Sequence, residues 1–297
     1  MRAVLPAPVI YRAQRVRSRL ASRRARAVFE RAASEPGWLD DAMIEPYQRR
    51  YPLPPRHGYD PDTLAKRGEE RARRLLKVLA NGEAGSFLEL GCWDGMVSHT
   101  LQRMGKSATG IDIRRQGFDG RVRAGGVRLL QMDAAKLGFE DGSFDVVFSF
   151  DGFEHFPNPE GTFAEAVRVT KPGGYIYLEF GPVYTSPMGA HLYRQISIPY
   201  CQHLFTRDSL QRFASAKALG TLDFNRVNPY GIEDFRQLWR RHADGLRRVK
   251  YYEIPDTAHV DLVVRHPTCF KSKTGSFDNL IVSRVEVLFR RGQPRRA

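Results

Sequence analysis

Ser86 to Ile113 runs SFLELGCWDGMVSHTLQRMGKSATGIDI. Phe87, Leu88 and Leu90 form the short apolar run of a buried strand, and Gly91 and Gly95 follow where the chain must reverse into a helix. Glycine there supplies backbone freedom and lets a ligand lie against bare main chain. A second apolar strand ends in an acid, Asp112, 21 residues after Gly91. That is close to the ~20-residue offset at which a carboxylate meets ribose hydroxyls in doubly wound sheets. The stretch therefore predicts an α/β fold with a ribose-bearing ligand at the turn. A dinucleotide turn would read G-x-G-x-x-G with a pyrophosphate at the helix N-terminus. Here Asp94 stands where the phosphate would sit, which argues for a cationic or uncharged group instead.

The motif Glu89-Leu90-Gly91-Cys92-Trp93-Asp94-Gly95 resembles the first motif of the class I S-adenosylmethionine-dependent methyltransferases, an acid, a variable residue and then G-x-G-x-G. It departs at Trp93, where the family usually has glycine. GIDI resembles the family's second strand with its ribose-binding acid, and LLQMDAAKLGFEDGSFDVVFSF its third strand, adenine loop and fourth strand. RVTKPGGYIYLEF, Arg168 to Phe180, resembles its helix, Pro-Gly-Gly turn and fifth strand. The resemblance covers about Lys66 to Phe180 well and the rest loosely. It implies a doubly wound, seven-stranded, mostly parallel sheet with S-adenosylmethionine as cofactor. Glu89, Gly91, Cys92, Trp93, Gly95, Asp112, Ile113, Asp133, Ala134 and Phe150 are then the cofactor-binding candidates, with Asp112 on the ribose and Asp133 facing the adenine amino group.

Outward from this core, 297 residues with 42% hydrophobic content suffice for one α/β domain with embellishments. The three cysteines, Cys92, Cys201 and Cys269, show no C-x-x-C spacing, so neither a disulfide framework nor a zinc knuckle is indicated and a reducing cytoplasm is expected. No apolar stretch approaches the ~18 residues of a membrane helix, and the N-terminus lacks a secretory apolar core. The net charge of +14 points toward an acidic partner, but 38 of the 47 basic residues are arginine, a skew that coding bias in a GC-rich genome produces without any ligand. Nucleic acid is thus a partner not favoured on charge alone.

Met1 to Phe29 holds eight arginines and no acid, with Val9, Val16, Leu20, Val28 and Phe29 at partly helical spacing. This predicts a basic amphipathic helix: a membrane-surface foot, a lid, a targeting segment, or a solvated extension packed on the core. Pro36, Pro46, Pro52, Pro54, Pro55 and Pro61 mark a strap without regular elements. Residues 1–61 are accordingly expected as an N-terminal helical extension with strap, and 62–297 as the methyltransferase domain. A helix is predicted over Asp62 to Leu79, capped by Asp60 or Asp62, with Leu64, Leu75, Leu76 and Leu79 inward. Related methyltransferases carry the corresponding helix beside the cofactor mouth. The irregular stretch Gly181 to Leu210 suits a wall of the substrate cavity, which Tyr184, His191, Tyr193 and Tyr200 would line unless they merely pack the loop. Thr206 is the expected cap of a helix from Arg207. Asp261 to Pro267 and Leu280 to Arg291 are expected as the sixth and seventh strands, the last antiparallel.

The fourth strand leads into Asp151-Gly152-Phe153-Glu154-His155, which opens at the carboxyl edge of the sheet. Its D-x-x-E-H spacing resembles the E-x-x-E-H stretch of the small-RNA terminal 2′-O-methyltransferases and of ubiquinone-pathway O-methyltransferases, where those side chains hold a divalent cation. In the small-RNA enzymes a later histidine completes the site, and His203 in His203-Leu204-Phe205-Thr206-Arg207 falls at a comparable place. The resemblance implies a metal set of Asp151, Glu154, His155 and His203, suited to Mg²⁺, Mn²⁺ or Fe²⁺ more than Zn²⁺. The alternative is that Glu154 and His155 brace the loop, as in methyltransferases that use no metal, with His155, His191 or His203 as general base. Glu154, His155 and His203 are the catalytic candidates.

The resulting expectation is a cytoplasmic S-adenosylmethionine-dependent methyltransferase acting on an oxygen, less readily a nitrogen, of a small molecule, glycan or lipid-linked intermediate. An RNA 2′-O-methyltransferase and a non-catalytic scaffold of the same fold are the alternatives. Peripheral membrane contact through the N-terminus accompanies the first.

Overall fold

The computed structural model describes residues 7–35, 37–52, 58–79 and 84–293, with side chains from residue 19 onward. Pro36, Pro54, Pro55 and the side chains of Val9 and Val16, used above, lie outside the described residues. Seven strands form one sheet in the order β3-β2-β1-β4-β5-β7-β6. They are β1 (Ser86–Leu90), β2 (Ser107–Asp112), β3 (Arg128–Gln131), β4 (Phe144–Phe150), β5 (Thr170–Phe180), β6 (Leu246–Pro255) and β7 (Val282–Arg291). β1 pairs in parallel with β2 and β4, β2 with β3, and β4 with β5, while β7 runs antiparallel to β5. The strand order reverses between β1 and β4, and the crevice beyond the carboxyl ends of two such strands is where a doubly wound sheet receives its ligand.

The helices are α1 (Ala7–Arg31), α2 (Ile44–Arg50), α3 (Pro61–Leu79), α4 (Met96–Arg103), α5 (Gly120–Ala124), α6 (Pro159–Val169), α7 (Cys201–Leu204), α8 (Arg207–Ala216), α9 (Ile232–Arg241), α10 (Val260–Arg265), α11 (Pro267–Lys271) and α12 (Asp278–Ile281). α3 begins as expected: Asp60 accepts the Thr63 amide at 2.9 Å, and Leu64, Leu75 and Leu79 are buried. Thr206 accepts the Ser209 amide at 3.1 Å and starts α8. No described helix is long and apolar enough to cross a membrane.

The chain divides into two compact units, elsewhere than at residue 61. One comprises residues 55–181, 234–253 and 284–297 and carries most of the sheet. Its core joins Leu75 and Leu79 of α3 to Phe87, Val146, Phe148 and Tyr177 on the strands. Phe235 and Trp239 of α9 add an aromatic cluster with Phe153, Phe163 and Phe180. The other unit comprises residues 1–54, 182–233 and 254–283. Ala25 and Phe29 of α1 are buried there in a core shared with Leu262, Val263, Phe270 and Phe277.

Three expectations change. The region of the strap contains α2, because Pro46 lies in its first turn, where no backbone N–H is required. Asp261 to Pro267 forms α10 and the start of α11 rather than a strand. Its valines turn inward at helical spacing, with Val260, Leu262 and Val263 buried and α10 packed on α1. The sixth strand is instead Leu246–Pro255, whose arginine-rich, largely exposed faces belong to a sheet edge.

Candidate active site

Gly91 and Gly95 both take left-handed backbone, φ +68° and +77°, the freedom the turn after β1 demands. A Cβ on Gly91 would meet the Phe156 ring at 3.2 Å and one on Gly95 would meet Leu129 at 3.0 Å, so the turn is also closely packed from behind. Trp93, between them, adopts φ +43°. Cβ crowding makes this conformation cost an ordinary residue ~1–2 kcal/mol. Its amide donates to Asp112 Oδ2 at 3.0 Å, and the Arg114 amide donates to Asp112 Oδ1 at 3.0 Å. The carboxylate is thereby locked at the end of β2 with lone pairs remaining for a diol.

Glu89 is buried, and its Oε2 accepts both the Ser98 amide (3.1 Å) and the Ser98 hydroxyl (2.6 Å). Burial pushes its pKa up to about 8. Its visible work is thus to tie β1 to α4. The Cys92 side chain is buried as well and turned toward Gly110, so Cys92 offers the ligand only main chain. Asp94 accepts the Met96 amide at 2.8 Å and pairs with Arg67 at 3.2 Å. Ile113 is 59% exposed just past Asp112. Asp133 is exposed, its Oδ1 accepting the Ala135 amide at 2.9 Å, and Ala134 is buried beside it. Phe150 is buried at the end of β4 beneath the Arg71 and Arg74 guanidinium groups, each 5.3 Å from its ring. A bare glycine turn, a lockable diol acceptor, an exposed aliphatic face and a second carboxylate suit a nucleoside with a polar tail.

Beyond β4 the chain is strained again: Asp151 has φ +48°. Its carboxylate pairs with Arg71 and, at 2.7 Å, with Arg284, while Glu179 pairs with Arg74 at 2.9 Å and Arg284 at 3.3 Å. Glu154 is 2% exposed; its Oε1 accepts the Gly181 amide at 3.0 Å and its Oε2 has no partner. Burial, and then the neighbouring Asp151 charge, push the Glu154 pKa up to about 8. His155 follows in the same short turn, half-buried.

The structure shows no assembled metal set: among the described residues no group of three or more His, Cys, Asp and Glu side chains is placed to hold a metal ion, and Asp151, Glu154 and His155 are not such a group. Asp151 instead pairs with two arginines, Arg71 and Arg284. In the other unit His203 is buried, its Nε2 bonded to the Thr185 carbonyl at 3.0 Å and its Nδ1 without a partner. Burial lowers its pKa to about 4. His191 Nε2 bonds the Pro182 carbonyl at 2.9 Å, and the Tyr200 hydroxyl donates to the Leu280 carbonyl at 2.8 Å. Both are core side chains of that unit. The arginines on Asp151 and Glu179 were missed in the sequence; Arg71 and Arg74 at helical spacing in α3 were the available signal.

Residues 88–178 match the methyltransferase domain family. The chain is 31% identical to a ubiquinone biosynthesis O-methyltransferase of Shewanella pealeana, over 30% of this chain and 41% of that protein. It is 32% identical to a fatty-acid O-methyltransferase of Mycolicibacterium smegmatis, over 36% of this chain and 42% of that protein. The chain thus spans less than half the length of these two curated relatives. A solved Pyrococcus horikoshii structure overlays 83% of this chain and 98% of its own at a TM-score of 0.48 and 19% identity.

Proposed function

We propose, from the premise that this chain belongs to the class I S-adenosylmethionine-dependent methyltransferases, that it transfers a methyl group to an oxygen of a lipophilic small molecule. The observation that carries the cofactor half is Asp112, locked at the end of β2 by the Trp93 and Arg114 amides with lone pairs left for ribose hydroxyls. When bound, the cofactor supplies an electrophilic methyl on a sulfonium. Asp112 would hold the ribose hydroxyls, Ile113 would lie against the base, Asp133 would accept from the adenine amino group, and Gly91 and Gly95 would allow main-chain approach.

Glu154 is our general base. Its Oε2 has no protein partner, its Oε1 is fixed by the Gly181 amide, and a pKa of about 8 makes it a far better proton acceptor than a solvated carboxylate. In its ionised form, which prevails above about pH 8, it takes the acceptor hydroxyl's proton as the oxygen attacks the methyl carbon and the carbon–sulfur bond breaks, so methyl transfer should rise with pH toward that value. The paired Asp151, Arg71 and Arg284 hold the strained strand end that carries it.

An oxygen acceptor is supported by relatives named for ubiquinone biosynthesis and fatty-acid O-methylation. A lipophilic one also fits α1, where Leu20 is 58% exposed with Arg19, Arg23 and Arg24 exposed around it, supporting peripheral contact with an anionic bilayer from the cytoplasmic side. The test is twofold. Calorimetric titration with S-adenosylhomocysteine should give binding that Asp112→Ala weakens tenfold or more, about 1.5–3 kcal/mol for a lost charge-assisted contact. Tritiated cofactor incubated with phenolic, fatty-acid and sugar acceptors should label one of the first two classes. Unchanged affinity in Asp112→Ala contradicts the cofactor assignment, and labelling of sugars alone contradicts the acceptor.

A further inference from the structure

The family's glycine position is occupied by a tryptophan that keeps glycine's backbone, φ +43° at Trp93. Such a residue persists only where its side chain returns something for the strain. The indole is 43% exposed, so the hydrophobic core does not account for it. It meets Tyr59, itself 45% exposed, edge-on with ring centroids 5.3 Å apart and planes at 77°. The Arg67 guanidinium lies 5.9 Å from both ring centroids and pairs with Asp94, the residue after Trp93. On its other side the indole rests on the loop after β2: a Cβ on Gly117 would come within 2.4 Å of Trp93 Cδ1. That loop begins at Asp112, which accepts the Trp93 amide.

Trp93 therefore touches three separate stretches of one unit: the segment before α3 through Tyr59, α3 through Arg67, and the loop after Asp112 through Gly117. We infer that Trp93 is a cofactor-positioning residue: its indole, clamped by Tyr59 and Arg67 on one side and seated on Gly117 on the other, holds the glycine turn and the ribose loop at the spacing a bound nucleoside needs. Glycine at this position would relax the backbone and remove the only side-chain packing of residue 93 on the ribose loop, leaving the Asp112 carboxylate and two backbone bonds, Cys92 N–H to Ile111 at 2.9 Å and Asp119 N–H to Asp94 at 3.1 Å, to tie the two loops. The inference rests on the cofactor reading above.

The test uses the full chain with S-adenosylhomocysteine as probe, measuring affinity by calorimetry and Tm without ligand. Trp93→Gly should lower affinity tenfold or more while Tm stays level or rises, because strain is removed as binding is lost. Trp93→Phe, which keeps a ring over Gly117, should restore affinity to within threefold of the original. Gly117→Ala, which puts a methyl into the indole's seat, should weaken binding with Trp93 intact. Affinity within threefold of the original in Trp93→Gly overturns the inference, as does a loss of affinity that tracks a fall in Tm, since Trp93 would then be structural only. No binding by the unsubstituted protein would instead defeat the cofactor reading itself, so the two failures are distinguishable.

Discussion

Asp145, at the amino end of β4, and Glu154, just past its carboxyl end, are nine residues apart in the chain and in opposite electrostatic situations. Asp145 accepts from the Gly85 and Ser86 amides at 3.0 and 2.8 Å and the Ser86 hydroxyl at 2.9 Å, and pairs with Lys171 at 2.8 Å. Burial acts to raise its pKa, but Lys171 and these donors outweigh it and hold the group down to about 2. Glu154 has one amide donor and one idle oxygen, and burial drives it to about 8. One end of the sheet satisfies its acid; the other leaves one short of partners, beside Asp151 and Trp93 in left-handed backbone. The contrast teaches that the unpaired buried carboxylate oxygen and the strained non-glycine backbone at Asp151 and Trp93 fall at the edge where a ligand can be engaged.

The largest effect expected is on turnover. Glu154→Gln should lower methyl transfer by about 10²–10⁴-fold, the usual worth of a general base, while affinity for S-adenosylhomocysteine stays within a few-fold. Activity retained in that variant would remove Glu154 from the mechanism and reduce the contrast to one of packing.

The pH dependence of stability follows in size, and its sign differs between the two ends. Folded Glu89 and Glu154 hold protons up to about pH 8 that the unfolded chain releases near 4.5, so stability falls as pH rises through that window. Each contributes a slope of roughly 1.4 kcal/mol per pH unit there. Asp145 is opposite: its stabilisation is present above 3.8 and is lost as pH falls toward about 2. Thermal melts without ligand should therefore peak at mildly acidic pH. Glu89→Gln or Glu154→Gln should each flatten the limb above the peak, and a limb unchanged in both would refute the raised pKa values. The smallest effect is that of Asp145→Asn, which should flatten the acid limb and cost about 1–3 kcal/mol at neutral pH without altering cofactor affinity.

Legibility in the sequence follows the range of the interaction involved. The turn at Gly91 and Gly95, the α3 cap at Asp60 and the Thr206 cap are local events, and each is found where residue type and spacing predict it. The antiparallel last strand was legible for the same reason, as an apolar alternation ending in Arg291. Leu246–Pro255 was not, because an edge strand with exposed faces has no buried stripe to impose a pattern. Val260–Arg265 misled through its β-branched residues, whose packing against α1 decided for helix. At the candidate site, the left-handed glycine turn and the place of Asp112 at the end of β2 were visible. The pairing of Asp151 with Arg71 and Arg284 was not, since it depends on residues 80 and 133 positions away. His203 illustrates the same limit: its spacing suggested a ligand, and its environment is a carbonyl and the Phe270 ring, 5.5 Å away.

The unit containing α1 is assembled from three stretches interrupted by the other unit's chain, and its core closes across them: the Phe29 ring lies 5.8 Å from that of Phe277. On the ribosome Phe277 emerges 248 residues after Phe29. At roughly 5–20 residues per second that interval lasts tens of seconds or approaches it. Throughout it a basic helix with Ala25 and Phe29 uncovered must be kept from its neighbours, so newly made chains should depend on chaperones more than finished ones do.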